Sequence, residues 1–183
     1  SFGAYDARVP WVVALTVGFF LFDVVNVRTW ESVDPLMVAH HLLSFVAIGC
    51  GLATKRCAFF ACLALGAEAS TPFLNNITAA KLFGGQQGAD SLIHFLSGIL
   101  LWITYVPFRI VNFPVWLWVW YSDLKSAPAE TSQKCTWFEL VFHPAVILLL
   151  LYLSSVWFVA ITKGCVNGIR KAFQAPSRVA KED

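Results

Sequence analysis

The sequence predicts an all-α fold, a polytopic transmembrane helical bundle of about five spans. Three observations predict it. The 183 residues are 58% hydrophobic and only 13% charged, against roughly 25% charged in a soluble domain. The mean hydropathy is +0.67, and the apolar residues gather into runs long enough to cross about 30 Å of hydrocarbon. Five crossings of about 20 residues each, with short loops, use nearly the whole chain and leave no room for a separate soluble domain.

The first helix runs from about Pro10, a residue suited to a first helical turn, to Val27, and ends at the charged loop Arg28 to Asp34. The second starts after Pro35 and reaches Thr54, where Lys55 and Arg56 form a basic turn. The third covers Cys57 to Ala80 and stops at the loop holding Gly84, Gly85 and Gly88. The fourth opens at Ser91, with Asp90 as N-cap, and continues to about Val111. The fifth spans Glu139 to Thr162, beyond which the chain turns polar and basic. Between the fourth and fifth lies Asn112 to Tyr121, apolar and rich in Trp. About ten residues are too short to cross as a helix, so this stretch reads as an interfacial segment or a kinked extension of the fourth helix. Its alternating Trp also fits a strand, but an unpaired strand in lipid leaves backbone groups unsatisfied.

A net charge of +2, with scattered Lys and Arg, forms no basic stripe of the kind nucleic acid requires. The cysteines Cys50, Cys57, Cys62, Cys135 and Cys165 make no CxxC or Cys/His spacing, so neither a metal site nor a disulfide framework is expected. The start lacks a basic n-region and a small-residue cleavage site, which excludes a signal peptide and points to a longer parent chain. Five crossings put seven Lys and Arg on the side of the C-terminus and five on the other, which favours a cytoplasmic C-terminal tail.

Ionisable groups inside membrane helices cost a few kcal/mol each and call for a partner or a function. Asp23 ends helix one, with Asn26 at i+3 on the same face. His40 and His41 lie one turn into helix two, Ser44 following at i+4 and i+3; neighbouring residues point about 100° apart, so both imidazoles do not address one small target equally. Glu68, Thr71, Pro72 and Asn75 fall at i, i+3, i+4 and i+7, one face of helix three. Pro72 has no N–H and crowds the carbonyl of Glu68, so a kink there frees an acceptor beside the carboxylate. Antiparallel threading brings Asp23, His40, His41, Asn75 and His94 into one half of the membrane, with Glu68 nearer the middle. Arg109 lies toward the opposite surface, positioned to snorkel, and His94 and His143, at helix starts, read as interfacial.

Read together, Gly18-Phe-Phe-Leu-Phe-Asp23, His40-His-Leu-Leu-Ser44 and Glu68-Ala-Ser-Thr-Pro-Phe-Leu-Asn75 resemble the TLC domain, the family of TRAM proteins, ceramide synthases and CLN proteins. Pro107-Phe-Arg-Ile110 and Trp157-Phe158 followed by Lys163-Gly164 resemble its late helices. The resemblance implies a TLC-like transmembrane domain over residues 1–165, lacking one N-terminal helix, and a polar, basic tail over residues 166–183. In ceramide synthases the His-His motif is associated with acyl transfer from acyl-CoA, a role that maps onto His40 and His41. Those enzymes carry a second His-Asp motif where this chain has Glu68 through Asn75, so the stripe is closer to the smaller TLC-domain-containing proteins.

Three readings follow from the resemblance. The first is an endoplasmic-reticulum-type protein that binds membrane lipid and influences lipid composition or homeostasis, with Ser44, Thr71, Asn75 and Arg109 meeting the lipid. The second is an acyltransferase with acyl-CoA as co-substrate and no other cofactor. There His40 or His41 serves as general base or acyl acceptor, and Asp23 or Glu68 orients the imidazole. The third is a structural subunit or chaperone that meets a membrane partner through Trp116 to Tyr121.

Overall fold

The computed structural model describes residues 9–26, 35–54, 58–89, 91–126, 128 and 135–174. All elements among them are helical: α1 (Val9–Asn26), α2 (Pro35–Thr54), α3 (Ala58–Leu65), a 3-10 segment (Gly66–Ser70), α4 (Thr71–Ala89), α5 (Leu92–Tyr105), a π segment (Val106–Val111), α6 (Asn112–Ser126) and α7 (Trp137–Gln174). Pro35–Thr54, Leu92–Ser126 and Trp137–Lys171 are each long and apolar enough to cross a membrane, and Trp11–Phe22 is a shorter apolar helix. Large apolar side chains stand exposed along them, including Trp11 and Leu15 at 75% and Trp137 at 80%. Water would not tolerate that surface, whereas lipid matches it, and helices satisfy their backbone polar groups internally.

The chain divides into two compact bodies, Ser1–Gly66 with Val111–Leu153, and Ala67–Ile110 with Ser154–Asp183. In the first body α1 packs on α2 through Val13, Phe20 and Ile48, with Phe45, Leu52, Ala61 and Leu65 closing around them. Phe60 meets Trp116 and Trp120 edge-on at 5.1 and 4.7 Å between ring centres, and the two indoles stack at 4.9 Å. Trp116 Nε1 donates to the carbonyl of Phe60 (2.9 Å) and Asn112 Nδ2 to that of Leu63 (2.8 Å). The Trp-rich stretch therefore turns Trp116 and Trp120 inward and leaves Trp118 and Tyr121 exposed.

In the second body α4 packs along α5. Trp102 Nε1 donates to Thr162 Oγ1 at 3.0 Å, and Tyr105 stacks on Phe158. The N-cap of α5 is Ser91, whose hydroxyl accepts from the His94 N–H; Asp90, the expected cap, lies outside the described residues.

Several boundaries differ from the sequence reading for physical reasons. The fourth span does not stop at Val111. It continues to Ser126, the second of the two readings of the Trp-rich stretch, and Pro114 comes just after the π segment, so the carbonyl four residues back that its ring would crowd, Ile110, lies in the widened turn. The third helix runs on to Ala89, and the expected glycine loop is a break inside it at Gly85 (φ 52°, ψ −134°), a backbone open to glycine alone at low cost. The fifth begins at Trp137 behind a reciprocal cap in which Thr136 and Glu139 satisfy each other's backbone N–H. It continues through residue 166 to Gln174, so the start of the basic tail is helical.

Candidate functional site

The second body holds a buried charge pair, and its geometry begins with two helix irregularities. Pro72 offers no N–H and disfavours α geometry in the residue before it, and the turn ahead of it tightens to 3-10 over Gly66–Ser70. The acceptor taken up by side chains there is the carbonyl of Ala67, one residue before the expected Glu68. Ser70 Oγ donates to it at 3.2 Å, and Arg109 Nε at 3.1 Å. Arg109 stands on the second irregularity, the π segment Val106–Val111. Pro107, which lacks an N–H, falls in that wide turn, and π turns are often found at functional sites.

Arg109 is 6% exposed. Its Nε also reaches Ser70 Oγ at 3.2 Å, while Nη2 donates to Glu68 Oε1 and Thr71 Oγ1, each at 3.3 Å. The Thr71 hydroxyl donates in turn to Glu68 Oε2 at 2.6 Å. Beneath the guanidinium lies the Tyr105 ring, one turn earlier on α5, with 5.5 Å from Arg109 Cζ to its centre. The Tyr105 hydroxyl donates to the carbonyl of Ser154 at 3.2 Å. One cation and one carboxylate are thus held by hydroxyls, a carbonyl and an aromatic face, the arrangement a buried charge requires. The Glu68 side chain keeps 27% of its exposure against 8% for Arg109. The carboxylate is the reachable edge of a neutralised pair.

This overturns the expectation that Arg109 snorkels to the far surface. The expectation ended its helix at Val111; the apolar rod instead runs from Leu92 to Ser126, which makes Arg109 its midpoint and sets it level with the Glu68 turn. Asn75, expected on the same polar stripe as Glu68 and Thr71, is exposed. Ser70, Tyr105 and Ser154 were not singled out from the sequence. Tyr105 at i−4 from Arg109 and Ser70 inside Glu-x-Ser-Thr-Pro were the available signals.

In the first body the histidine pair gathers around an aromatic ring. His40 is buried and His41 half-buried, and Phe20 presents an edge to both, at 6.4 and 5.5 Å between ring centres. The two imidazoles lie edge to face at 5.4 Å, and Ser44 is buried one turn on. Asp23 is part of α1, but its side chain lies outside the described residues. His143 is buried at 8% exposure with Trp120 edge-on at 6.0 Å. His94 is half-buried. Among the described residues no group of three or more His, Cys, Asp or Glu is placed to hold a metal ion.

Comparison with known proteins gives consistent results. TLC domain-containing protein 4-B of Xenopus laevis is 25% identical over 158 residues, covering 84% of this chain and 57% of that protein. TLC domain-containing protein 4 of Xenopus tropicalis is 31% identical over 109 residues, covering 57% of this chain and 41% of that protein. The chain thus spans about half the length of the curated relatives it matches. No solved structure matches it significantly. The TLC domain model matches residues 1–163, nearly the whole chain and both sets of polar residues described above, and the protein belongs to the TLC domain family.

Proposed function

We propose that this protein binds lipid within the bilayer and thereby influences membrane lipid composition. The observation that carries the reading is the buried pair of Arg109, which lies in the apolar run Leu92–Ser126, with Glu68 of the 3-10 turn Gly66–Ser70. Replacing a buried ion pair by apolar residues of similar volume is often neutral or stabilising, so stability alone gives little reason to keep one, and intramembrane ionisable residues most often mark function. The half-exposed hydroxyl of Thr71 and the reachable edge of Glu68 offer hydrogen-bonding groups to a lipid head, while the exposed apolar helix faces accept its chains. An endomembrane such as the endoplasmic reticulum, with the C-terminal tail cytoplasmic, belongs to the same reading.

The test is lipid analysis of cells expressing Glu68→Gln or Arg109→Met, together with identification by mass of lipid extracted with the purified protein. A shifted profile is expected. An unchanged profile at normal protein abundance would refute the reading and favour a structural role in a membrane complex. The acyltransferase alternative rests on the histidine pair. Purified protein given acyl-CoA and amine acceptors would transfer acyl groups, and His41→Ala would abolish the transfer.

A further inference from the structure

Helix α7 is longer than a bilayer needs, and its excess has a defined chemistry. The run Leu140 to Thr162 contains no Asp, Glu, Lys or Arg, and at 1.5 Å per residue it extends about 34 Å, close to the hydrocarbon thickness of about 30 Å. The helix then continues from Lys163 to Gln174, roughly 18 Å more. On this extension Val166, Ile169 and Phe173 are 49%, 37% and 82% exposed, and their i, i+3, i+7 spacing puts them in one arc. Lys163 and Arg170, at i−3 and i+4 from Val166, flank one edge of this arc, Lys171 lies further round from it, and all three are exposed. The result is an apolar stripe bordered along one edge by basic side chains.

Its surroundings fix the depth at which it lies. A side-chain carbon at Gly168 would meet the Phe95 ring at 3.6 Å, so the extension runs closely against the start of α5. That start exposes Leu92 at 69% and Ile93 at 66%. Apolar surface on two helices at the level of three cations suits neither bulk water nor the hydrocarbon core. The boundary between headgroups and acyl chains satisfies both, with apolar side chains entering the lipid and Lys and Arg reaching the phosphates.

We propose that the Lys163–Gln174 extension of α7 is a binding surface for anionic phospholipids of the bilayer the protein spans, held by Lys163, Arg170 and Lys171. The occupant follows from charge complementarity and from continuity with the span. Arg178 and Lys181 follow in the sequence, and basic clusters next to a membrane span attract anionic lipid. This surface is independent of the Glu68–Arg109 pair.

The experiment reconstitutes the full chain into nanodiscs of phosphatidylcholine containing a minority of phosphatidylserine and measures, by native mass spectrometry, which lipid stays bound. Wild type is expected to retain phosphatidylserine above its bulk fraction. That preference should fall by about fivefold for each charge removed, and Lys163→Gln/Arg170→Gln/Lys171→Gln should return it to the bulk ratio. Lys163→Arg/Lys171→Arg should keep it. The wild-type preference should also weaken as salt is raised, a readout that stands even where the triple variant does not fold. A preference that survives the triple substitution or resists salt would overturn the proposal.

Discussion

Arg109→Met tests whether the buried pair holds the second body together. Methionine keeps the unbranched apolar stem of the side chain and removes the guanidinium. The carbonyl of Ala67 and the Ser70 hydroxyl then lose the Nε donor, and Glu68 Oε1 loses a charged partner at 3.3 Å. Removing one member of a buried pair costs about 3–5 kcal/mol. Because Glu68 keeps 27% of its side-chain exposure, the expected cost lies near the lower end, about 3 kcal/mol. The double variant Arg109→Met/Glu68→Gln removes both charges and should recover about 1.5 kcal/mol, a coupling typical of contacting groups. Unfolding in mixed detergent micelles, titrated with denaturing detergent and followed by tryptophan fluorescence, reads both values. The reasoning fails if Arg109→Met costs under about 1 kcal/mol, or if the double variant is no more stable than the single one.

The same titration checks three further expectations. Thr71→Val removes a 2.6 Å hydrogen bond to a carboxylate and should cost about 1.5 kcal/mol; a neutral result would mean that the hydroxyl does not orient Glu68. Trp116→Phe deletes the indole donor to the Phe60 carbonyl and should cost about 1 kcal/mol. Trp118→Phe, at a side chain 69% exposed, should cost almost nothing, and equal costs would contradict the inward and outward faces of α6. Gly85→Ala forces a Cβ into positive φ and should cost about 1 kcal/mol or more; a stabilising effect would show that the break in α4 is not kept in solution.

Three of the five expected spans, those in Pro35–Thr54, Leu92–Ser126 and Trp137–Lys171, were legible in the sequence because lipid imposes one simple demand, an apolar run of sufficient length. Local stereochemistry was legible as well: Pro72 announced an irregular turn at Glu68, and the i, i+3 spacing of Glu68 and Thr71 put them on one face. The π segment was not legible, because a widened turn leaves no mark in composition, and length alone left the Trp-rich stretch open between an interfacial segment and the extension of helix four that it forms. The burial of Arg109 at that turn was hidden with it. Even with correct helix ends, the bond from Arg109 to Glu68 depends on how two antiparallel helices align, and hydropathy does not encode that alignment. The histidine pair shows a different limit. Its position on α2 was plain, but its packing against Phe20 of α1 arises from tertiary contact.

Arg109, at the centre of an apolar rod, also bears on how the chain enters the bilayer during synthesis. A lone arginine at the middle of an inserting helix carries a penalty of roughly 2.5–3.5 kcal/mol. Glu68 precedes Arg109 by 41 residues, so the carboxylate has already left the ribosome when the cation emerges. Insertion of the two segments as a pre-paired hairpin avoids presenting an unneutralised guanidinium to lipid. With acid before base along the chain the counter-charge is made first, and exchanging the two residues would present the cation before its counter-charge exists.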